Sequence, residues 1–383
     1  MRKLRLFTPG PTPLIPEAQL AMARPLIHHR TSEFKDLLLE TRLNLQRLFK
    51  TTAEMVILTS SGTGAMEAAV SNLHAPGEKV LAVVAGKFGE RWAEIAEVFG
   101  LECVSLCKAY GEAASPEEIV GHLRANPGVR SLLIQGCETS TGTSHDLEAI
   151  ARSVRHEFPE ILIIVDAISA VGCQPVKPDE WGLDVVISGS QKAFGLPPGL
   201  AFLSLGSHAV EVLESKASAP HYYLNLRKEV RGQALGTTAY TPAITLMTAL
   251  NEATRLMLKE GLDELISGAE LMARCARKGL GDLDFRLLSS TPSNAVTAAY
   301  PPTGIAADEL RSSLESSFGV KVAGGQGPLK GKIVRIAHLG YFDLLDVFLV
   351  LSAIEMCLKK MGKTVTLGKG VSAAMEESQS SGH

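Results

Sequence analysis

An aspartate and a lysine, each at or just after the end of an apolar run, have the residue types and positions of a cofactor site. Asp166 ends the run ILIIVD, and Lys192 stands 26 residues later, after the run DVVISGS. Ligands bind at the carboxyl edge of open α/β sheets, so we expect both side chains at one edge. Either residue alone is more simply interpreted as an acidic strand end or a surface lysine. The flanking SGSQK and PPG segments favour a site.

This pair of residues suits the chemistry of pyridoxal 5'-phosphate (PLP). A lysine amine holds the PLP aldehyde as a Schiff base, and a carboxylate keeps the pyridine nitrogen protonated, so that the ring accepts electrons after Cα–H cleavage. The lysine, once an amino substrate displaces it, can act as the general base and acid for the substrate proton. The sequence therefore predicts a PLP enzyme with Lys192 as the catalytic residue and Asp166 at the pyridine nitrogen.

Three further segments could complete the site. In SSGTGAMEAA (60–69), two glycines form a turn before a helix whose free N–H groups and dipole favour phosphate, and the GK[ST] ending of a nucleotide P-loop is absent. In CETSTG (137–142), hydroxyls follow a strand and could contact a ring oxygen, although a polar turn explains them equally well. Arg335, within the apolar run IVRIAHLG, could clamp a substrate carboxylate. An edge-strand arginine facing water is the simpler alternative.

Composition argues against several other functions. The 383 residues include 38 basic and 41 acidic ones, a net charge of −3, which gives no reason to expect nucleic acid or an anionic membrane as a partner. No apolar run approaches the roughly 20 residues of a membrane span, and the N-terminus does not resemble a secretory signal. Six scattered cysteines without a CxxC pair predict reduced thiols and no metal site. We therefore expect a cytoplasmic protein.

The order of apolar and helical segments predicts an α/β fold. Seven short apolar runs between residues 55 and 206 are mostly continuous, as in strands buried on both faces, and several alternate with helical segments. This predicts a mainly parallel seven-stranded sheet, with an antiparallel strand possible where the last two runs join without a helix. A smaller α/β unit follows. We predict an N-terminal arm (1–20), a large domain (21–255), a small C-terminal domain (256–362) and a polar, disordered tail (363–383).

A set of segments spread over nearly the whole chain carries a family resemblance: FTPGPT, IHHRTSEF, SSGTGAMEAA, KFGERW, ETSTG, VDAISAVG, SGSQKAFGLPPG, YTPA and IVRIAHLG. Together they resemble the class V aminotransferases of PLP fold type I, most closely the alanine–glyoxylate and serine–pyruvate (glyoxylate) branch. SGSQK with its upstream VD is quite specific, whereas each flanking segment is modest alone. The resemblance implies PLP as the cofactor and a large domain followed by a smaller one.

The resemblance also implies a role for each matching residue. Lys192 forms the Schiff base, Asp166 pairs with the pyridine nitrogen, Arg335 holds the substrate carboxylate and Gly10 lines the pocket. The other implied cofactor contacts come from four segments: Thr63, Gly64, Ala65 and Gln191 at the phosphate, Thr139 near the ring hydroxyl, and Phe88 in place of the family's stacking aromatic, often Trp. Phenylalanine can still stack on a ring, although it lacks the indole N–H.

A homodimer is implied as well, because in this family a neighbouring subunit completes the phosphate site. The matching segment is TTAYTPA (237–243), which leaves Thr238, Tyr240 and Thr241 as candidates. The implied reaction is ping-pong transamination from a small amino acid, alanine or serine, to a small 2-oxo acid, glyoxylate or pyruvate.

Three alternatives stay open. A lyase of the cysteine desulfurase kind needs a nucleophilic cysteine on a mobile loop, and Cys357, the only cysteine near the end, lies in the helical segment EMCLKK. A 2-aminoethylphosphonate aminotransferase would need extra basic residues, for which Arg227, Lys228 and Arg231 are candidates. A non-catalytic partner subunit of a larger complex is the alternative from another class, although every residue that a PLP site needs is present.

Overall fold

The computed structural model describes residues 3–216 and 221–380, which form alternating strands and helices. The strands are β1 (Arg5–Phe7), β2 (Glu54–Leu58), β3 (Lys79–Val84), β4 (Glu102–Cys107), β5 (Val129–Gln135), β6 (Cys137–Glu138), β7 (Thr143–Ser144), β8 (Leu162–Asp166), β9 (Val185–Gly189), β10 (Ala201–Leu205), β11 (Arg286–Leu287), β12 (Val296–Tyr300), β13 (Val320–Gly324) and β14 (Val334–Ala337).

The α-helices within those ranges are α1 (Pro16–Ala21), α2 (Ser32–Leu48), α3 (Gly62–Leu73), α4 (Lys87–Val98), α5 (Pro116–Ala125), α6 (Leu147–Glu157), α7 (Pro178–Trp181), α8 (Ser207–Ser215), α9 (Leu226–Ala234), α10 (Ile244–Glu260), α11 (Leu262–Asp282), α12 (Ala307–Phe318), α13 (Leu344–Lys360) and α14 (Lys369–Ser380). A short 3-10 helix spans Gly327–Leu329. In the described parts of the chain, no helix combines the length and the apolar character that crossing a membrane requires.

The predicted seven-stranded sheet is confirmed. Its strand order is β2-β10-β9-β8-β5-β3-β4, and β10 alone among them runs antiparallel, between β2 and β9. All five residues of β8, β9 and β10 are buried, which explains their continuous apolar sequences. Only a turn joins β9 to β10, so the chain reverses there instead of crossing over through a helix.

Helices cover both faces of this sheet and enclose two apolar cores. One core packs α2, α5, α6 and α10 against the sheet, and the other packs α3, α4 and α8 against its opposite face. The parallel strands β8 and β9 pair Asp166 with Ile187. Asp166 therefore lies at the carboxyl edge of the sheet, beside the turn that follows β9 and contains Lys192.

A second sheet, with strand order β1-β13-β14-β12-β11, packs with α11, α12, α13 and α14 around a separate core. Its first strand comes from the predicted N-terminal arm, because β1 pairs in parallel with β13. The arm therefore bridges the two units: it starts in the small sheet and then passes along Gln191 and Lys192, where Thr12 N donates to Gln191 O (3.3 Å). The domain boundaries given above stay a prediction.

The prediction of a disordered tail is wrong for residues 369–380, which form α14. The helix packs closely on α11, since a Cβ added at Gly279 would lie 2.7 Å from Gly370 O. Ala373 and Ala374 are buried in this contact. The buried carboxylate of Glu355 accepts the N–H groups of Gly368 (2.6 Å) and Gly370 (2.7 Å) at the start of the helix. Tertiary packing of small residues therefore orders a segment whose composition is polar.

Candidate active site

Lys192 lies buried in the turn after β9, enclosed by the N-terminal arm. Its Nζ donates a hydrogen bond to Pro9 O, and its own carbonyl accepts one from Thr12 Oγ1 (2.9 Å). Burial lowers the pKa of the Lys192 amine to about 8, although the charge of Asp166 acts to raise it. A larger fraction of the amine is therefore neutral near pH 7 than for an ordinary lysine, which favours attack on an aldehyde.

Asp166, at the end of β8, is buried beside this amine. Its Oδ1 accepts the N–H of Ile168 (2.9 Å), while Oδ2 has no hydrogen-bond partner among the described residues. Burial raises the pKa of the Asp166 carboxyl to about 6, and the charge of Glu138 raises it further, whereas Lys192 lowers it. A carboxylate with one free oxygen in a buried residue can take a cationic or N–H partner, such as a protonated ring nitrogen.

The amino end of α3 offers free backbone N–H groups. Gly64 N and Ala65 N donate to Ser61 O (2.9 and 3.4 Å), but in the described chain Gly62 N and Thr63 N have no acceptor. An anion bound here would therefore accept the N–H groups of Gly62 and Thr63 more readily than those of Gly64 and Ala65, which already have an acceptor. A Cβ added at Gly62 would lie 2.3 Å from Ile168 Cδ1, so glycine brings this loop against the segment after Asp166.

The turn after β5 and the start of α4 bring two predicted ring contacts to the same edge. Thr139 Oγ1 donates to Ser169 Oγ (2.9 Å), three residues beyond Asp166. Phe88 lies in the first turn of α4, and the Arg91 guanidinium carbon is 4.9 Å from its ring centroid. Arg91 also donates to Thr63 Oγ1 (3.1 Å) and thereby joins the ring-stacking and phosphate segments. Sequence reasoning missed Arg91; its spacing of three from Phe88 on a helix was the available signal.

Arg335 in β14 is buried, so the edge-strand alternative is wrong. Its Nε donates to Gly324 O (2.8 Å) and its Nη1 to Thr139 O (2.7 Å), which leaves Nη2 without a protein acceptor among the described residues. Burial lowers its pKa to about 10, opposed by the charge of Glu138, so the guanidinium stays charged at neutral pH. The charge of Arg335 is also one cause of the lowered pKa of Lys192.

Gly10 and Gln191 lie directly against the lysine. Gly10 has a φ of +142°, and a Cβ added there would lie 2.6 Å from Lys192 Nζ. Only glycine leaves the amine this room without backbone strain. The side-chain Oε1 of Gln191 is buried without a hydrogen-bond partner, a polar atom that a bound ligand could satisfy.

The segment with Thr238, Tyr240 and Thr241 makes its hydrogen bonds to residues other than Lys192 and Asp166. Thr238 Oγ1 donates to Tyr240 O (2.6 Å), and Tyr240 OH donates to Tyr222 O (2.8 Å). Tyr240 also stacks on Tyr223, at 5.2 Å between ring centroids. No hydrogen bond within the described residues joins this segment to Lys192 or Asp166.

Comparison with known proteins identifies the family. The aminotransferase class-V family model matches residues 18–336. The chain belongs to the class V aminotransferases. The soluble hydrogenase 42 kDa subunit of Anabaena cylindrica is 39% identical over 97% of this chain and 98% of that protein. L-Aspartate–glyoxylate aminotransferase of Paracoccus denitrificans is 32% identical over 97% of this chain and 95% of its own. The aspartate aminotransferase of subgroup IV from Thermus thermophilus has a TM-score of 0.87 at 37% identity, covering 93% and 99% of the two chains.

This class V aminotransferase is a PLP-dependent transaminase with the α/β architecture of fold type I. The residues at the sheet edge fit the cofactor. A buried amine, a carboxylate with an unpaired oxygen, free N–H groups at a helix start and an aromatic side chain match the aldehyde, pyridine nitrogen, phosphate and ring of PLP in turn. In the described ranges no cluster of three or more His, Cys, Asp or Glu could hold a metal ion.

Proposed function

We propose that this transaminase moves the amino group of a small amino acid, alanine or serine, to a small 2-oxo acid, glyoxylate or pyruvate, by a ping-pong reaction. The observation that carries the proposal is the buried guanidinium of Arg335, which two carbonyls fix while Nη2 stays free for a carboxylate. Amino acids and 2-oxo acids each have a carboxylate next to the reacting carbon, so Arg335 can bind the substrate in both half-reactions.

Each residue has a defined task in this proposal. Bound PLP supplies an aldehyde that takes up the amino group and a ring that withdraws electrons from the reacting carbon. Arg335 binds and orients the substrate carboxylate. The Lys192 amine takes the proton from the substrate Cα and returns it, a task that its lowered pKa of about 8 favours near neutral pH. With PLP bound, Asp166 would keep the ring nitrogen protonated, and Phe88 would be the aromatic contact of the ring.

The test uses the visible absorption band of bound PLP. The purified protein should be yellow, and the band should fall when a true amino donor is added alone. We expect fast loss with alanine or serine, and slower loss with aspartate or 2-aminoethylphosphonate. Lys192→Ala should abolish turnover, whereas Lys177→Ala, which removes a lysine that pairs with Glu180 at 3.1 Å, should not. A protein that stays colourless with added PLP, or an active Lys192→Ala variant, would refute the proposal.

We also propose a homodimer in which TTAYTPA of one subunit completes the phosphate site of the other. Tyr222 is 75% exposed and Tyr223 is 49% exposed beside Tyr240, a degree of exposure that contact with a second subunit would remove. Co-expression of Lys192→Ala with a Thr238→Ala/Tyr240→Phe/Thr241→Ala variant tests this. The mixture should recover about a quarter of the wild-type activity, because half of the dimers are mixed and each carries one intact site. Two inactive parents that stay inactive when mixed would contradict the proposal.

The geometry favours the transaminase over the alternatives on the same fold. Arg231 pairs with Glu214 (2.6 Å), Arg227 donates to Lys216 O (2.7 Å) and Lys228 lies over the Tyr222 ring, so each basic candidate for a phosphonate has a partner in its own chain. Cys357 is buried in α13, unlike a nucleophile on a mobile loop. The third alternative is a non-catalytic partner subunit. The name of the Anabaena protein describes only that protein, and measured turnover by this chain would exclude a purely non-catalytic role. The free state of all six cysteines is consistent with the cytoplasmic location that we propose.

A further inference from the structure

Glu138 is a completely buried carboxylate that none of the steps above uses. It lies in β6, between the strand β5 and the turn that carries Thr139. Its oxygens accept the backbone N–H groups of Phe88 (3.1 Å), Gly89 (2.9 Å) and Ser140 (3.2 Å) and the hydroxyl of Ser140 (2.5 Å). A buried charge with this many donors is held in one geometry.

These contacts cap the start of α4 from outside the helix. The residue before the helix, Gly86, has no side chain to cap it, and a Cβ there would lie 2.6 Å from Glu138 Cδ. Ser140 Oγ accepts the N–H of Lys87 (3.0 Å), so Glu138 and Ser140 together satisfy the first three N–H groups of α4. The negative carboxylate also faces the positive end of the helix dipole.

The same turn fixes two other parts of the site. The carbonyl of Thr139, the next residue, accepts Arg335 Nη1 (2.7 Å), and its hydroxyl donates to Ser169 (2.9 Å). Glu138 holds the backbone of Phe88, and the next residue, Thr139, holds Arg335. The aromatic side chain and the carboxylate clamp are therefore positioned by two consecutive residues. A shift of the Glu138 carboxylate would move the ring contact and the clamp relative to each other.

We infer that Glu138 is a positioning residue of the transaminase: it fixes Phe88 against the face of the PLP ring by holding the first turn of α4. The inference rests on the proposed roles of Phe88 and PLP. Glu138→Gln tests it, because it removes the charge and leaves one acceptor oxygen where the carboxylate offers two. Phe88 N and Gly89 N share Oε2, whereas Ser140 N and Oγ use Oε1, so either the α4 end or the Ser140 turn loses an acceptor.

The measurements are the dissociation constant of PLP by absorbance titration and the circular dichroism of the visible band. We expect Glu138→Gln to bind PLP about tenfold more weakly, with altered visible dichroism, as for loss of one charge-assisted hydrogen bond. Glu355→Gln is the matched control, since Glu355 is also a buried carboxylate that accepts three N–H groups at a helix start, in the small unit. It should lower the Tm without changing either PLP measurement. Equal PLP binding by the two variants would overturn the inference.

A double-mutant cycle separates positioning through Phe88 from general loosening of the site. In a Phe88→Ala background, Glu138→Gln should change PLP affinity far less than in the wild type, because the aromatic side chain that it positions is gone. Additive effects would overturn the inference. If Glu138→Gln does not fold, Ser140→Ala takes its place. We expect it to lose less PLP affinity than Glu138→Gln would, and an unchanged PLP affinity would count against the inference. Failure of the proposed function shows separately, as a wild type that binds PLP without transaminating.

Discussion

Gly10→Ala should damage the lysine site through a single methyl group. The new Cβ would lie 2.6 Å from Lys192 Nζ and 2.8 Å from Cε, whereas ordinary contacts begin at 3.4 Å. To restore ordinary contact, Nζ must move by about 0.8 Å, which is close to the 1 Å misplacement that can cost about 100-fold in rate. Because the arm also encloses the lysine at Pro9 and Thr12, the amine has little room to move.

The substitution also has a backbone cost, which a second variant measures separately. The φ of +142° at Gly10 disfavours any L side chain, at about 1–3 kcal/mol of folding stability. Gly77→Ala is the matched control, because Gly77 has a φ of +84° and nothing within 4 Å of an added Cβ. Both variants should lose stability of this order, but only Gly10→Ala should lose the reaction with PLP.

The assay follows the visible band after PLP is added to cofactor-free protein, together with kcat for the favoured donor. We expect slow or incomplete formation of the band in Gly10→Ala and a fall in kcat of about 100-fold at most. Urea unfolding of each cofactor-free variant gives its stability. If Gly10→Ala forms the band and turns over as Gly77→Ala does, the close contact between Gly10 and Lys192 does not govern the reaction.

Three more outcomes are expected. Arg335→Lys should raise the KM for amino and 2-oxo acids by tenfold or more, because lysine lacks the planar fork; steady-state kinetics with an unchanged KM would contradict the clamp. Asp166→Asn should alter the pH dependence of stability in the PLP-free protein. Burial raises the pKa of Asp166 from 3.8 to about 6. Its contribution to the free energy of unfolding is therefore fully present below about pH 4 and is lost as the pH rises through 6, which lowers that free energy by about 3 kcal/mol by pH 8. The variant should therefore gain stability over the wild type between pH 4 and pH 8 in urea unfolding, and parallel profiles would refute this. Glu355→Gln should destabilise the α14 contact by about 1–3 kcal/mol and expose residues 363–380 to limited proteolysis; an equally resistant tail would contradict it.

The sheet and the central pair of the site were predictable because both depend on local pattern. Continuous apolar runs determine buried parallel strands, and the carboxyl ends of β8 and β9 must meet at one edge, so Asp166 and Lys192 fall together. Arg91 and Glu138 were missed because their roles depend on which turn packs on which helix. Neither residue type, taken alone, distinguishes a site contact from an ordinary charged side chain, and only the spacing of Arg91 from Phe88 gave a signal.

The tail was mispredicted for a related reason. Residues 363–380 are polar, and their few buried groups, such as Gly370 and Ala373, have no strong apolar signal. Their order comes from close approach to Gly279 and from the Glu355 carboxylate, both of which lie outside the segment. Composition indicates how much apolar area a segment can bury, but it does not show whether the rest of the fold offers a complementary surface for that segment.

The pairing of β1 with β13 has a consequence for the order in which the enzyme is made. Arg5–Phe7 reaches its sheet only after Val320–Gly324 has been synthesised, more than 300 residues later on the chain. Pro9, Gly10 and Thr12, which enclose Lys192, follow directly from that strand. A nascent chain that has completed the seven-stranded sheet therefore still lacks the strand pairing that anchors the first residues of the arm, and this anchoring is a late, long-range event of folding.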